Sequence, residues 1–429
     1  MQLNNVFVIL FFIGTGISLC LNQFLEYTDY KFRKIHGNDI PSELADVVDR
    51  EKIAKTVLYE DSKYKLWIPS SLLSTVLDIF LLASGFYPWL FFTFWNLTSN
   101  IYGTVILFAF IISIPAGLIA IPFSLYQEFV VEKKFGFSTM TVKLWIVDEL
   151  KSLLLSAVVS VLLLAVMTFL FEHAASFWWL LLGIIYILFS LLVSVIYPVF
   201  IAPLFNKFTP LDDGSLKNAL EKLLASAGFA VRGVFVMDAS KRSKHSNAYF
   251  TGIGKSKRIV LYDTLLAQLS TEETVAVLSH ELGHYKKHHV VKRLCCMIPV
   301  VFFVLAVADI LVGTPSLYQG FGFSTPAGLF PHMKFIGLFL LSEVFGGFSF
   351  LPALLGNYFS RKDEFEADRV ASELCGSGEP LITALIKLHS ENLSELTPPP
   401  VYCLFRYDHP PLLERIRAIR NVSPETKDL

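Results

Sequence analysis

The sequence predicts a mainly α-helical, polytopic membrane protein. Seven transmembrane helices are joined by water-facing segments, and these carry an H-E-x-x-H motif and a small β element. Three observations predict this. The 429 residues are 54% hydrophobic and only 17% charged, with 39 Phe, and the mean hydropathy is +0.55. A water-soluble core does not hide that much apolar surface, so lipid must cover much of it. The apolar residues also fall into seven runs, each close to the roughly 20 residues a helix needs to cross a bilayer. Finally, Lys and Arg lie on alternate connecting segments only.

The first run is residues 5–24. Met1-Gln2-Leu3-Asn4 has no basic residue and Cys20-Leu21-Asn22 is a poor cleavage site, so the run reads as a retained span rather than a signal peptide. Residues 25–65 are polar and basic. The second span covers 66–84, an aromatic segment follows at 86–95, and the third span covers 101–126. An amphiphilic stretch to 149 precedes the fourth span (150–171) and the fifth (177–205). These five helices with their polar loops make one unit, residues 1–205.

Residues 206–292 are the first long water-compatible unit. Their pattern predicts a helix over 215–227, short strands at 233–237, 248–251 and 259–262, and then the H-E-x-x-H helix. Spans six (294–312) and seven (335–355) form the unit 293–355. A polar helical unit, 356–429, ends the chain, and no internal repeat or low-complexity tract is present.

Segments 1–4, 86–100, 172–176 and 314–333 contain no Lys or Arg, whereas 25–65, 127–149, 206–292 and 356–429 are rich in both. The positive-inside rule then places the N-terminus in a lumen and the C-terminus in the cytosol. The sequon at Asn96 falls on the lumenal side; those at Asn392 and Asn421 fall on the cytosolic side and should be silent. A net charge of −1 and the lack of a basic patch interleaved with aromatics argue against a nucleic-acid partner. Five cysteines without C-x-x-C spacing suggest neither a disulfide framework nor a cysteine metal site.

The motif Ser279-His280-Glu281-Leu282-Gly283-His284 carries the chemistry. Two histidines at i and i+4 share a helix face and can converge on one zinc ion, with Glu281 placed as general base for a water at that ion. Ser270 and Glu273 form a capping box, Glu272 and Glu273 suit the first turn, and Lys286 and Lys287 suit the last. A catalytic zinc takes three protein ligands, so a third is needed. Ser360-Arg361-Lys362-Asp363-Glu364-Phe365-Glu366-Ala367-Asp368 follows span seven on the side where the motif helix enters span six. Glu364 and Asp368 share a face; one can bind the metal while the other accepts a hydrogen bond from a ligating imidazole. Glu366 is out of register with them.

Two further stretches complete the candidates. In Tyr407-Asp408-His409-Pro410-Pro411-Leu412-Leu413-Glu414-Arg415, Asp408 can cap a helix, which sets His409 at its start and Arg415 about two turns on, both available to a developing oxyanion. In Ser246-Asn247-Ala248-Tyr249-Phe250-Thr251-Gly252, a short strand offers an edge that an extended substrate can join.

Together these stretches, with Lys257-Arg258-Ile259-Val260-Leu261-Tyr262-Asp263-Thr264-Leu265-Leu266, resemble the CAAX prenyl proteases of the Ste24 type, a family of membrane zinc metalloproteases. The seven-span plan agrees over essentially the whole chain. The resemblance implies zinc held by His280, His284 and Glu364, with Glu281 as base. It also implies roles for Asp368, His409 and Arg415 around the catalytic centre and for Asn247, with Ala248 and Tyr249, along the substrate. Further implications are a barrel of seven helices around a chamber, removal of the last three residues of prenylated (farnesylated) C-a-a-X proteins at the cytosolic face, and residence in the endoplasmic reticulum membrane. Asp363 stands where the family often has an aromatic, and Glu366 where Gln is more usual. The alternatives are a quality-control membrane protease that needs no prenyl group, or a zinc-stabilised scaffold or transporter without turnover.

Overall fold

The computed structural model describes residues 1–422 except 175, 230 and 252–256; Gly252 of the strand motif and the tail 423–429 lie outside the described residues. The membrane part comprises α1 (Val6–His36), α2 (Arg50–Ala83), α3 (Phe86–Thr98), α4 (Ile101–Tyr126), the short α5 (Lys133–Phe135), α6 (Val142–His173), α7 (Trp178–Ile196) and α8 (Ala202–Phe205). Asn5, Asp49, Asn100 and Thr141 each start a long helix by accepting a backbone N–H of its first turn. The next elements are β1 (Phe208–Pro210), α9 (Ser215–Ser226), β2 (Gly233–Met237), β3 (Ala248–Thr251), β4 (Arg258–Tyr262), α10 (Asp263–Gln268), α11 (Thr271–Lys286) and α12 (His289–Val312). The chain ends with α13 (Pro315–Gly320), α14 (Lys334–Gly346), α15 (Phe350–Cys375), α16 (Glu379–Glu391), α17 (Pro400–Arg406) and α18 (Leu412–Val422).

Among the described residues, six helices are long and apolar enough to cross a membrane, and the bent pair α14–α15 makes a seventh when counted as one span. Four sequence expectations change. The seventh span is not one helix over 335–355: α14 and α15 meet at 69°. Gly347 occupies the corner, and a Cβ there would lie 2.3 Å from the carbonyl carbon of Gly14 on α1. The crossing leaves no room for a side chain, and the bend is where it occurs. The aromatic stretch at 86–95 is helical, as α3. Helices α1 and α2 continue through the polar residues 25–36 and 50–65, since charged side chains are good helix formers once a span has nucleated the helix. A strand that the sequence reading missed, β1, pairs with β2.

The Lys- and Arg-free segments gather at one end. The Gln2 backbone N–H donates to the Gly320 carbonyl at 2.8 Å, Asn5 Nδ2 donates to the Ser316 carbonyl at 2.8 Å, and His332 pairs with Glu172 at 2.6 Å. Phe91, Phe108, Tyr318, Phe321 and Phe323 pack there with under a few per cent of their surface open, a large apolar burial that ties the helix ends together. At the other end the basic segments meet. Buried Arg33 of α1 pairs with Asp29 (2.5 Å) and Asp61 of α2 (3.2 Å) and also with Glu395. Tyr59 donates to Glu132 at 2.8 Å, and Arg242 to Asp148 at 2.8 Å. These bonds hold the spans to the polar units.

The sheet has the order β1-β2-β4-β3, with β2 and β4 parallel and the outer pairings antiparallel. Strand β3 is therefore an edge. Leu261, Leu278 and Leu282 are buried between the sheet and α11, and α11 in turn lies against α15. Gly283 permits that approach: a Cβ there would sit 2.9 Å from both the Cα and the carbonyl oxygen of Ala367. Two helices that each carry part of a polar cluster are thereby brought almost into backbone contact.

Candidate active site

Helix α11 begins with the capping box read from the sequence: Ser270 accepts the Glu273 N–H while Glu273 accepts the Ser270 N–H. Its register sets His280 and His284 one turn apart on the face toward α15, where Glu364 and Asp368 are also one turn apart. The two Nε2 atoms lie 3.2 Å apart. Glu364 Oε2 is 3.3 Å from His280 Nε2, and Oε1 is 3.1 Å from His284 Nε2. Donors bonded to zinc at about 2.0–2.1 Å in a tetrahedron stand about 3.3 Å from one another. These three side chains are spaced accordingly, and they are the His-His-carboxylate cluster that the described residues offer a metal. Glu364 Oε2 is buried without a hydrogen-bond partner, a costly state that a bound cation relieves.

The outer ring nitrogens are held as well. Asp368 Oδ1 accepts from His280 Nδ1 at 2.8 Å, which leaves the lone pair on Nε2 facing the cluster. Burial disfavours a charge on His280, but the carboxylates of Asp368 and Glu364 outweigh that and push its pKa up to about 9, so a metal that takes the Nε2 lone pair does so in exchange for a proton. His284 is held by a longer route. Two carboxylates face His289 Nε2, Glu366 at 3.0 Å and Asp363 at 3.6 Å, so that nitrogen donates. In a neutral ring, His289 Nδ1 then accepts from His284 Nδ1 across 2.9 Å, and His284 Nε2 also presents a lone pair to the cluster.

Arg415 is buried beside them. Its Nε and Nη2 donate to the two oxygens of Asp368 at 2.8 and 2.6 Å, and Nη1 lies 3.6 Å from Glu364. With Nε and Nη2 committed to Asp368, Arg415 orients that carboxylate, which leaves Nη1, beside Glu364, for the oxyanion role expected of it. Nor does Asp408 cap a helix. Helix α18 starts only at Leu412, after two prolines, and the Asp408 carboxylate accepts from His409 Nδ1 at 2.7 Å instead. That bond, more than the opposing effect of burial, raises the His409 pKa. His409 Nε2 lies 3.4 Å from Glu364 Oε1, and its side chain is 57% exposed, so His409 is the donor that reaches open space.

A cavity of 610 Å³ adjoins the cluster; Asn247, Ala248, Glu281, His409 and Arg415 are among its lining residues. Burial raises the Glu281 pKa, which makes it a better base than an exposed carboxylate. Asn247 reaches the cavity at the start of the edge strand β3. Tyr249 does not line it: strand alternation turns its ring toward Tyr262 on the other face. The Asn247–Tyr262 bond makes Tyr249 and Val260 a hydrogen-bonded pair, so the Tyr249 backbone also faces β4, and the free edge is offered by Ala248 and Phe250.

Sequence reasoning missed His289, Glu366 and Gly283. His289 is one of several histidines near the motif. His245 binds Glu132 and Asn392, and His288 is exposed at the break between α11 and α12 with φ 57. That break, read as a nearly continuous run, is what swings His289 behind His284. Half-buried His389 also lines the cavity, but it donates to the Glu395 carbonyl at 2.7 Å, and desolvation pulls its pKa down to about 4, so it stays neutral.

Comparison with known proteins agrees with this arrangement. Residues 29–207 match a model described as CAAX prenyl protease N-terminal, five membrane helices, and residues 210–423 match peptidase family M48. The chain is 35% identical to a CAAX prenyl protease 1 homolog of Arabidopsis thaliana, over 90% of this chain and 92% of that one. It is 33% identical to CAAX prenyl protease 1 of Saccharomyces cerevisiae, over 97% and 96% of the two chains. The crystal structure of S. mikatae Ste24p superposes with a TM-score of 0.87 at 33% identity, over 96% of this chain and 99% of that one. With both family models matched in sequence order and a helical membrane body built around a His-His-Glu cluster, the chain belongs to the M48 metallopeptidases of the CAAX prenyl protease type.

Proposed function

We propose that the protein is a zinc endopeptidase that removes the C-terminal three residues of prenylated, in particular farnesylated, C-a-a-X proteins. The observation that carries this reading is the convergence of His280, His284 and Glu364 next to Glu281, within a few turns of the helix α12 that enters the membrane. A catalytic centre so close to a bilayer suits peptides delivered by a lipid anchor.

His280, His284 and Glu364 would hold zinc, which supplies Lewis-acid chemistry: it acidifies water and polarises a carbonyl. Glu281 takes the proton of the attacking water and passes it to the leaving amine. His409, which the hydrogen bond to Asp408 biases toward its protonated form, donates toward the oxyanion from the cavity mouth. Asn247 and the free edge of β3 hold the peptide extended. Asp368 and Arg415 keep His280 and Glu364 in place.

We place this end of the molecule in the cytosol and the N-terminus in the lumen of the endoplasmic reticulum, because the segments bonded around the cluster are the ones rich in Lys and Arg. A chamber between the spans is supported by Asn22, Thr75, Asp78 and Glu343, which face one cavity between α1, α2 and α14; such groups sit among spans at low cost where water reaches them. The deciding assay uses purified, zinc-loaded protein and one C-a-a-X peptide with and without its farnesyl group. Release of the tripeptide from the farnesylated form, lost with a zinc chelator, is expected. Equal cleavage of the bare peptide would instead indicate a protease with no prenyl requirement.

A further inference from the structure

A second cavity, of 560 Å³, opens where α6 and α8 leave the apolar part of the molecule and meet the sheet. Five cationic side chains line it, Lys151, Lys207, Lys241, Arg242 and Arg258, against one carboxylate, Asp238. Two of the five are engaged. Arg242 grips both oxygens of Asp148 at 2.8 and 3.2 Å, and Lys151 donates to the Leu204 carbonyl at 2.9 Å. Asp238 accepts the Lys207 backbone N–H at 2.6 Å and leaves the ammonium free. Among the described residues, Lys207, Lys241 and Arg258 form no ion pair. Arg258 Nε is buried with no hydrogen-bond partner while its guanidinium lies over the Phe235 ring at 5.2 Å. An unmatched buried guanidinium nitrogen is a costly feature in a finished surface.

The surroundings indicate what fills the cavity. On the membrane side, the same helices are apolar and open: Leu150 is 60% exposed and Leu204 52%. A cationic recess at the ends of spans, continuous with an exposed hydrocarbon surface, is complementary to an amphiphile with an anionic head. Three unpaired cations exceed what a phosphodiester with one charge neutralises. We propose that this recess binds the headgroup of a phospholipid bearing a phosphomonoester, with its acyl chains along the outer faces of α6 and α8. The inference is separate from the peptide chemistry, because none of these residues touches the His-His-Glu cluster.

The test uses the full chain in phosphatidylcholine nanodiscs doped with phosphatidic acid, reading retained lipid by native mass spectrometry. A parallel arm adds inorganic phosphate to undoped nanodiscs and reads thermal unfolding. Expected is selective retention of phosphatidic acid, lost by about 100-fold in the triple variant K207A/K241A/R258Q, since each cation near an anionic surface contributes on the order of fivefold. The control K55A/K217A/K222A removes three cations elsewhere and retains lipid like the wild type. R258Q alone, which keeps a polar side chain, loses about fivefold and serves if the triple variant unfolds. Retention of phosphatidic acid no better than phosphatidylcholine overturns the proposal, as does unchanged retention in R258Q and the triple variant. Protection by inorganic phosphate without lipid selectivity also overturns it.

Discussion

His284 and His289 stand Nδ1 to Nδ1 at 2.9 Å, and Glu366 closes on the far nitrogen of His289 at 3.0 Å. A second carboxylate–imidazole arm thus reaches the cluster, longer by one ring than the Asp368–His280 arm. His289 is only 1% exposed, so its ring has no freedom to leave. Outer partners of metal-binding imidazoles typically account for 10–100-fold in metal affinity. His289→Leu should therefore weaken zinc binding by roughly that factor in a chelator competition, whereas Glu366→Gln, which keeps an acceptor, should cost only a few-fold. Equal losses in the two variants would show that charge, not proton placement, is what Glu366 provides.

Glu281→Gln should separate binding from turnover. It removes a proton acceptor worth about 10²–10⁴ in rate while leaving His280, His284 and Glu364 untouched. Tripeptide release should fall by that factor with zinc content unchanged by metal analysis. His409→Ala should also lower the catalytic constant with zinc retained, by a smaller factor, because one donor to the oxyanion is lost.

Asp368 and Arg415 are both buried, at 1% and 8% exposure. Taking one partner from a buried pair typically costs about 3–5 kcal/mol. Asp368→Asn is expected to lower the thermal unfolding temperature and zinc affinity together, because Arg415 loses its countercharge and His280 its strongest acceptor. Arg415→Lys should not rescue, since an ammonium cannot span both Asp368 oxygens. A stable, zinc-loaded R415K protein would contradict this account.

Gly283→Ala places a Cβ 2.9 Å from the Ala367 backbone. Overpacking of this kind costs about 1–3 kcal/mol, and here it also separates α11 from α15. The expected signature is a loss of zinc affinity larger than the loss of thermal stability, measured on the same preparation.

Stability should also report the capping box as a function of pH. Burial works against the charged form of Glu273, but the Lys387 ammonium at 2.7 Å and the Ser270 N–H outweigh it and lower its pKa. The folded value lies below the ordinary 4.5, so its contribution is complete above that ordinary value and disappears as pH falls through the lowered one. Thermal scans across the acid range should show this loss in the wild type and a flatter profile in Glu273→Gln. The substitution keeps a capping-box acceptor and removes only the pair with half-exposed Lys387, so it should cost less than about 1 kcal/mol near neutrality.

Much of the membrane plan was legible because its signals are local. Six of the seven apolar runs fall on helices long and apolar enough to cross a membrane, and the strands 233–237 and 248–251 fell where alternation and turn residues put them. The capping box and the i, i+4 pairs of α11 and α15 were legible for the same reason. What failed was long-range. The bend between α14 and α15 falls where α1 passes over Gly347, and Tyr249 faces away from the cavity because β4 fixes the register of β3. Arg415 grips Asp368 through Nε and Nη2, a fact of side-chain reach that spacing along the chain does not contain.

The amino-acid order alone therefore determined the helical, lipid-covered body, the one-sided placement of basic loops and the set of side chains able to hold a metal. Periodicity and composition are properties of neighbours in the chain, and hydrophobic and helical preferences act at that range. Tertiary structure alone decided that His280, His284 and Glu364 come within one metal's reach, and that His289 stands behind His284. Those distances depend on two helices far apart in sequence meeting at Gly283 and Ala367, where the absence of one methyl group permits the contact.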